Sequence, residues 1–348
     1  MTHPKTITRD DPKVNSNSLH EYHIAKRGPQ NVPEIVMARL EPERQRTAKN
    51  PGHSYARTDN IRFDFYDQKV SNAPFGYEQF VSLPPNYDEL KETQWPLIMF
   101  LHGAGESQRG GNESFVSIRH GIPKVILCYD KLKSAPDDDE DTPAINIPRA
   151  ERLRKSKQTT QGDKSSEPVP KQVCTLVAES FITATPSLNM DYGYGWNASI
   201  LTALLDEIVH RHRVDLDRIH VTGFSMGGYG TWELAMHTPR RFATVVPICG
   251  GGDDLRVVHI KHIPHWIHHG DLGDIIPVNA STRMVEALEK VGAKEVEFTR
   301  YPDLMHDSWT EAYNNPEVYR WMLERKRTVK GDEEGVPDEN KVILSVEI

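Results

Sequence analysis

Cysteine is scarce in this 348-residue chain: Cys128, Cys174 and Cys249 are the full set. An odd count at unrelated spacings is not a disulfide framework and fits a reducing compartment. Cys174 and Cys249 lie inside apolar runs, where a reduced thiol acts as a small hydrophobe. Long apolar runs are lacking too. None approaches the ~18 residues that mark a membrane-spanning helix, and Met1 to Asn17 is polar, with Asp10 and Asp11 where a secretory signal needs an apolar core. Together these absences predict a soluble, cytoplasmic protein without a membrane partner. Positive charge is not in excess either: 42 Lys and Arg face 50 Asp and Glu. No face-long basic run is present to follow a phosphate backbone, which argues against nucleic acid. Gly103-Ala104-Gly105 is followed by Glu106, and no Gly-Lys-Ser/Thr occurs, so the chain has no phosphate cradle of that type.

What is present is enough to bury a core: 37% of residues are apolar and 26% charged, consistent with one large domain carrying appendages. Residues 1–57, rich in Pro, Asn, Arg and His, are expected to form a loose extension, residues 58–325 the domain, and 326–348 a charged tail. Within the domain, 131–171 contains Asp137-Asp138-Asp139-Glu140-Asp141 and then a long polar stretch. That composition buries too little surface to offset its ordering entropy and predicts a disordered insertion.

Alternation in Ile61 to Tyr66 and Tyr77 to Leu83 predicts an antiparallel entry to a sheet, and Pro84-Pro85 ends it. Trp95 to Leu101 and Val173 to Ala178 are wholly apolar or nearly so, as expected of strands covered on both faces. Ile118 to Tyr129 has the makings of a short helix or turn. Ile200, Leu201, Leu204, Leu205, Ile208 and Val209 have the spacing of one helical face. Further strands are expected at Ala243–Cys249, His265–His269 and Glu295–Tyr301, and helices at Ser281–Val291 and about Pro316–Leu323. Strand and helix alternating in this way demand a mostly parallel sheet with helices on both faces, an α/β fold.

The sheet is organised around Leu216 to Trp232. Its β-branched run collapses into Gly223-Phe224-Ser225-Met226-Gly227 and passes directly into a helical stretch. A strand, sharp turn and helix of this kind hold the central serine in a strained geometry that needs small neighbours, and lift its hydroxyl out of the sheet. The serine also sits over the first free N–H groups of a helix, which favour developing negative charge. Its partners should lie at the carboxyl ends of other strands. In the loop His102-Gly103-Ala104-Gly105, the N–H of Ala104 can face the same point as that of Met226, a pair suited to a tetrahedral oxyanion. His306, in the loop after the last strand, supplies the base that a serine hydroxyl needs.

Three carboxylates can orient that imidazole: Asp274, which follows Gly273; Asp271, nearer the strand; and Asp253, after Gly250-Gly251-Gly252. Asp274 is preferred because Gly273 lets the loop adjust and Ile275-Ile276 can pack down behind it. This apparatus requires no cofactor. The histidines His259, His262, His265, His268 and His269 do not suit a metal, since Pro264 breaks any helix that would align them and no carboxylate or cysteine completes a set.

Asp215 to Trp232, Pro247 to Asp253, Tyr301-Pro302-Asp303 and His306 to Trp309 together resemble the α/β-hydrolase superfamily. Within it the chain is similar to the phospholipase/carboxylesterase group and to esterases and predicted peptidases related to polyhydroxybutyrate depolymerases and feruloyl esterases. The resemblance covers about 60–130 and 172–325. It implies Ser225 as nucleophile, His306 as base and a carboxylic ester as substrate, with a serine peptidase of prolyl-oligopeptidase type and a catalytically weak binding protein as alternatives. The chain departs from the family pattern twice. Gly273 stands where the acid normally precedes the proline of a D-x-x-V-P pattern, here Pro277, and Ala178-Glu179-Ser180-Phe181 stands where a Pro-Gln-Cys-like turn is usual.

Overall fold

The computed structural model describes residues 57–58, 61–66, 77–108, 114–134, 144–145, 167–190 and 195–328. Its strands are β1 (Arg57–Thr58), β2 (Ile61–Tyr66), β3 (Glu78–Leu83), β4 (Trp95–Leu101), β5 (Ala144–Ile145), β6 (Val169–Pro170), β7 (Ile182–Ser187), β8 (Val214–Phe224), β9 (Thr244–Ile248), β10 (His265–Gly270) and β11 (Val296–Tyr301). The α-helices are α1 (Gly121–Ser134), α2 (Lys171–Ser180), α3 (Ala198–Arg211), α4 (Met226–His237), α5 (Asn279–Lys290), α6 (Trp309–Asn314) and α7 (Pro316–Leu323).

One sheet of nine strands carries the fold, in the order β1-β2-β3-β7-β4-β8-β9-β10-β11. The pairs β1–β2, β2–β3 and β3–β7 are antiparallel, while every pair from β7 to β11 is parallel. The antiparallel entry and the parallel body are those the residue patterns predict.

All seven residues of β4 are buried, because side chains alternate between two covered faces. Leu97, Met99 and Leu101 join a core with Leu204 of α3, Leu234 of α4 and Leu288 of α5. Ile98 and Phe100 join the opposite core with Val125 of α1, Val177 of α2, Tyr313 of α6 and Met322 of α7. Each large side chain removed from water here contributes roughly 1.5–3 kcal/mol. Helix ends are held locally: the Asn197 side chain accepts from the Ile200 N–H at 3.1 Å, and Asn315, followed by Pro316, accepts from Glu317.

The chain leaves β4, returns on one side as β7 and then crosses to the other side as β8. β4 and β8 therefore flank the point where the strand order reverses, and the loops at their carboxyl ends lie against each other. These are the loops of Ala104 and Ser225.

Several expectations need correction. Val173 to Ala178 is not a strand but the centre of α2; Val173, Cys174, Val177 and Ala178 are its buried residues. That i, i+1, i+4, i+5 spacing is helical, and the β-propensity of Val, Cys and Thr masks it. The strand is β7, so its end lies at Ser187-Leu188-Asn189 rather than at Ala178 to Phe181. The stretch 131–171 contains the last turn of α1, the first residue of α2, and the two-stranded ladder of β5 and β6 with Val169 buried; the rest of it, 135–143 and 146–166, lies outside the described residues. The tail begins later than Arg325. Arg327 is buried, its N–H donating to the Asp217 carbonyl at 2.9 Å and its Nε to the Asp217 carboxylate at 3.0 Å. Arg57 already belongs to β1, while the extension before it and the chain after Thr328 lie outside the described residues.

Candidate active site

β8 ends at Phe224 and α4 begins at Met226, which leaves Ser225 alone between strand and helix. Its backbone sits at φ 56° and ψ −121°. Such a conformation costs a residue with a side chain of order 1–3 kcal/mol and persists only where its surroundings over-determine it. Here the Ser225 N–H donates to the Ile248 carbonyl at 2.9 Å, and the Ser225 carbonyl accepts from Tyr229 N–H at 3.1 Å. A Cβ on Gly223 would lie 2.5 Å from the Gly227 carbonyl oxygen, and one on Gly227 would overlap the Leu101 carbonyl. The small residues that flank the serine are thus required by contact of α4 with the ends of β4 and β8.

His306, in the loop after β11, places Nε2 2.9 Å from Ser225 Oγ. Burial pushes its imidazole down to about 4; the nearby Asp274 carboxylate opposes this shift and His269 adds to it. His306 is consequently neutral at pH 7 and able to accept a proton. The Trp309 ring meets it edge-on at 5.4 Å and itself stacks on Phe224 at 4.4 Å, so the wall behind the imidazole is aromatic. Asp307 is adjacent in sequence but committed elsewhere: its two oxygens accept from the N–H and hydroxyl of Thr310, both at 3.1 Å.

His306 Nδ1 is buried and has no hydrogen-bond partner among the described residues. The three carboxylates proposed for it are used differently. Asp253 Oδ1 accepts from Leu255 N–H at 3.0 Å within its own turn, and Asp271 Oδ1 accepts from Arg300 Nε at 2.7 Å. Asp274 is exposed and, of the three, is the one whose charge acts on His306, without bonding to it. A Cβ on Gly273 would overlap the Ile276 carbonyl, so this loop, as folded, has no room for an aspartate at the position where the family pattern expects one. Its path is held by His269, whose Nε2 donates to the Ile276 carbonyl at 2.9 Å while Nδ1 lies 2.7 Å from Ser281 Oγ.

Met226 is the first residue of α4 and Ala104 the first of a 3-10 turn, Ala104–Glu106, so both carry N–H groups with no acceptor inside their own helix. His102 contributes something the sequence reasoning missed. Its Nε2 accepts from Leu188 N–H at 3.0 Å, which puts the proton on Nδ1, 2.8 Å from the Gly103 carbonyl. The Gly103 carbonyl and the Ala104 N–H belong to one planar peptide and point in opposite directions. Pinning the carbonyl therefore aims the N–H. Burial pushes His102 down to about 4, which keeps it in the neutral form this arrangement requires. The signal was a histidine directly before the glycines, but its acceptor role needs Leu188, distant in sequence.

Among the described residues no group of three or more His, Cys, Asp or Glu side chains is placed to hold a metal ion. His265, His268 and His269 are instead buried along β10. No described helix is long and apolar enough to cross a membrane.

A serine held at a strained strand-to-helix turn, on a mostly parallel sheet and against a histidine from the last loop, is the arrangement of the α/β-hydrolase fold. The sequence profile of the phospholipase/carboxylesterase family matches residues 193–315, the part that contains Ser225 and His306. A thermostable esterase of known structure is 24% identical with a TM-score of 0.54 over 77% of this chain; the chain spans 64% of that esterase's length. A ferulic acid esterase is 17% identical, with a TM-score of 0.46, 75% of this chain and 95% of that one being covered. An acylaminoacyl peptidase from Pyrococcus horikoshii is 14% identical, with a TM-score of 0.48 over 85% of this chain and 46% of its own. No curated protein matches in sequence.

Proposed function

We propose that the protein is a serine hydrolase that cleaves carboxylic esters through an acyl-enzyme. The observation that carries this is the 2.9 Å approach of His306 Nε2 to the hydroxyl of a strained Ser225. His306 takes the serine proton as Oγ attacks the ester carbon; the N–H groups of Ala104 and Met226 hold the oxyanion; His306 then protonates the departing alcohol. Water repeats the sequence to release the acid. Asp274 is the acid that steadies the imidazolium once the loop brings its carboxylate to Nδ1. A small or extended ester is the substrate class, and a serine peptidase of prolyl-oligopeptidase type would use the same groups. The orphaned Nδ1 of His306 favours a second reading, a hydrolase-like binding protein of weak activity.

A fluorophosphonate probe tests both. Labelling of the wild type, abolished by Ser225→Ala, together with turnover of short acyl p-nitrophenyl esters, is the expected result. An unlabelled Ser225 overturns the hydrolase in favour of the binding protein.

A further inference from the structure

Cys128 and Cys174 are separated by the whole 131–171 stretch in sequence, yet their thiols meet. Cys128 lies on α1 and Cys174 on α2, both completely buried in the same core, and their side chains are hydrogen-bonded to one another. The contact belongs to a register. Lys124 Nζ of α1 donates to the Glu167 carbonyl just before α2, at 2.5 Å, and Tyr129 of α1 donates to the Glu179 carboxylate near the end of α2, at 2.6 Å. Advancing along α1 from 124 to 129 advances along the partner from 167 to 179, so the two segments run side by side in the same direction, with Cys128 and Cys174 between the two contacts. The third cysteine, Cys249, lies apart, its backbone N–H bonded to the His268 carbonyl and its thiol beside Ser225 and Ser308.

We propose that Cys128 and Cys174 form a disulfide-competent pair, a modification site whose reaction partner is a low-molecular-weight disulfide of the glutathione type. One cysteine thiolate attacks a sulfur of the small disulfide and expels a small thiolate, which takes up a proton. The second cysteine, deprotonated, attacks the protein sulfur of the mixed disulfide and expels the second small thiol. Two protein thiols are thereby oxidised to one disulfide, and one small disulfide is reduced to two thiols. Burial shields both groups in the native state, so the exchange takes place while α1 and α2 are coming together during folding. The bond would close a loop around the 131–171 stretch at its base, restricting the unfolded chain and fastening the two helices where that stretch leaves and rejoins the fold.

The test is to refold the full chain from guanidinium in a glutathione redox buffer, count thiols after denaturation, and map the peptides. One free thiol in place of the three, a peptide linking Cys128 to Cys174, a mass lower by two hydrogens, and a Tm higher by about 10 °C that dithiothreitol reverses are expected. Cys249→Ser should form the same bond, and Cys128→Ser and Cys174→Ser should form none. A bond that involves Cys249, glutathione left as an adduct on Cys128 or Cys174, all thiols still free at a potential that oxidises a model dithiol, or a linkage that lowers Tm would each overturn the proposal. None of these readouts depends on ester hydrolysis.

Discussion

Stability should fall steeply as the solution is acidified from pH 7.5 to 5.5, well above the usual carboxylate range. The cause is a set of histidines folded away in their neutral form. Burial pushes His102 down to about 4 and His220, His265 and His268 down to about 3, from an ordinary value of 6.5. The unfolded chain takes up protons at these positions below pH 6.5 while the folded chain does not, so stability rises with pH and is lost as pH drops through 6.5 towards the folded values. Each group contributes roughly 1.4 kcal/mol per pH unit well inside that window, or about 1.3 kcal/mol between pH 7.5 and 5.5. Four such groups amount to about 5 kcal/mol, comparable with the whole stability of many domains. His265 is the position to perturb. It stacks on Trp232 at 5.5 Å and 21°, and the Ile263 backbone beside its ring offsets only part of the burial cost. His265→Phe keeps the stack and removes one titrating group. Urea unfolding followed by far-UV circular dichroism at both pH values should give a loss smaller by about 1.3 kcal/mol in the variant. Identical losses in variant and wild type would refute the argument.

Other outcomes follow from the site. Of Asp274→Asn, Asp271→Asn and Asp253→Asn, the first should cost turnover by orders of magnitude with the fold retained; loss confined to Asp253→Asn would move the acid to the end of β9. Since the Asp274 carboxylate raises the His306 value, its removal should also shift the acid limb of kcat/KM to lower pH. His102→Phe should lower kcat by about a hundredfold through a misaimed Ala104 N–H, with little change in KM, as steady-state kinetics would report. Gly227→Ala should be destabilised by more than about 4 kcal/mol, because its Cβ meets backbone rather than a movable side chain. Joining Ile145 directly to Glu167 by a short Gly-Ser linker should leave Tm within a few degrees, whereas also removing Val169, which is buried, should not.

Much of this architecture is legible in the residues because burial on two faces leaves a plain mark: Trp95 to Leu101 can hardly be anything but a central strand. The meeting of His306 with Ser225 was legible for a related reason, since the ends of parallel strands limit where a partner can lie. Val173 to Ala178 misled because its residue types favour a strand while its spacing is helical, and packing against α1 decided the matter. The role of His102 depends on Leu188, and the company kept by Cys128 depends on Cys174; neither pairing has a local signature. The acid stayed open because loop backbone decides it. Gly273 is excluded as a carboxylate position by the Ile276 carbonyl, a contact no spacing rule contains.

Ser225 is held by main chain: the carbonyls of Leu101 and Ile248 press on the glycines around it, and the second of these also accepts its N–H. A serine clamped in this way is insulated from the side chains of the surrounding loops. Loop side chains that neither touch those carbonyls nor belong to the groups proposed for catalysis, Ala104 and Asp274 among them, can be changed while the serine stays in register. Directed evolution of this scaffold should therefore begin at those loop side chains and leave the glycines, Ala104 and Asp274 alone.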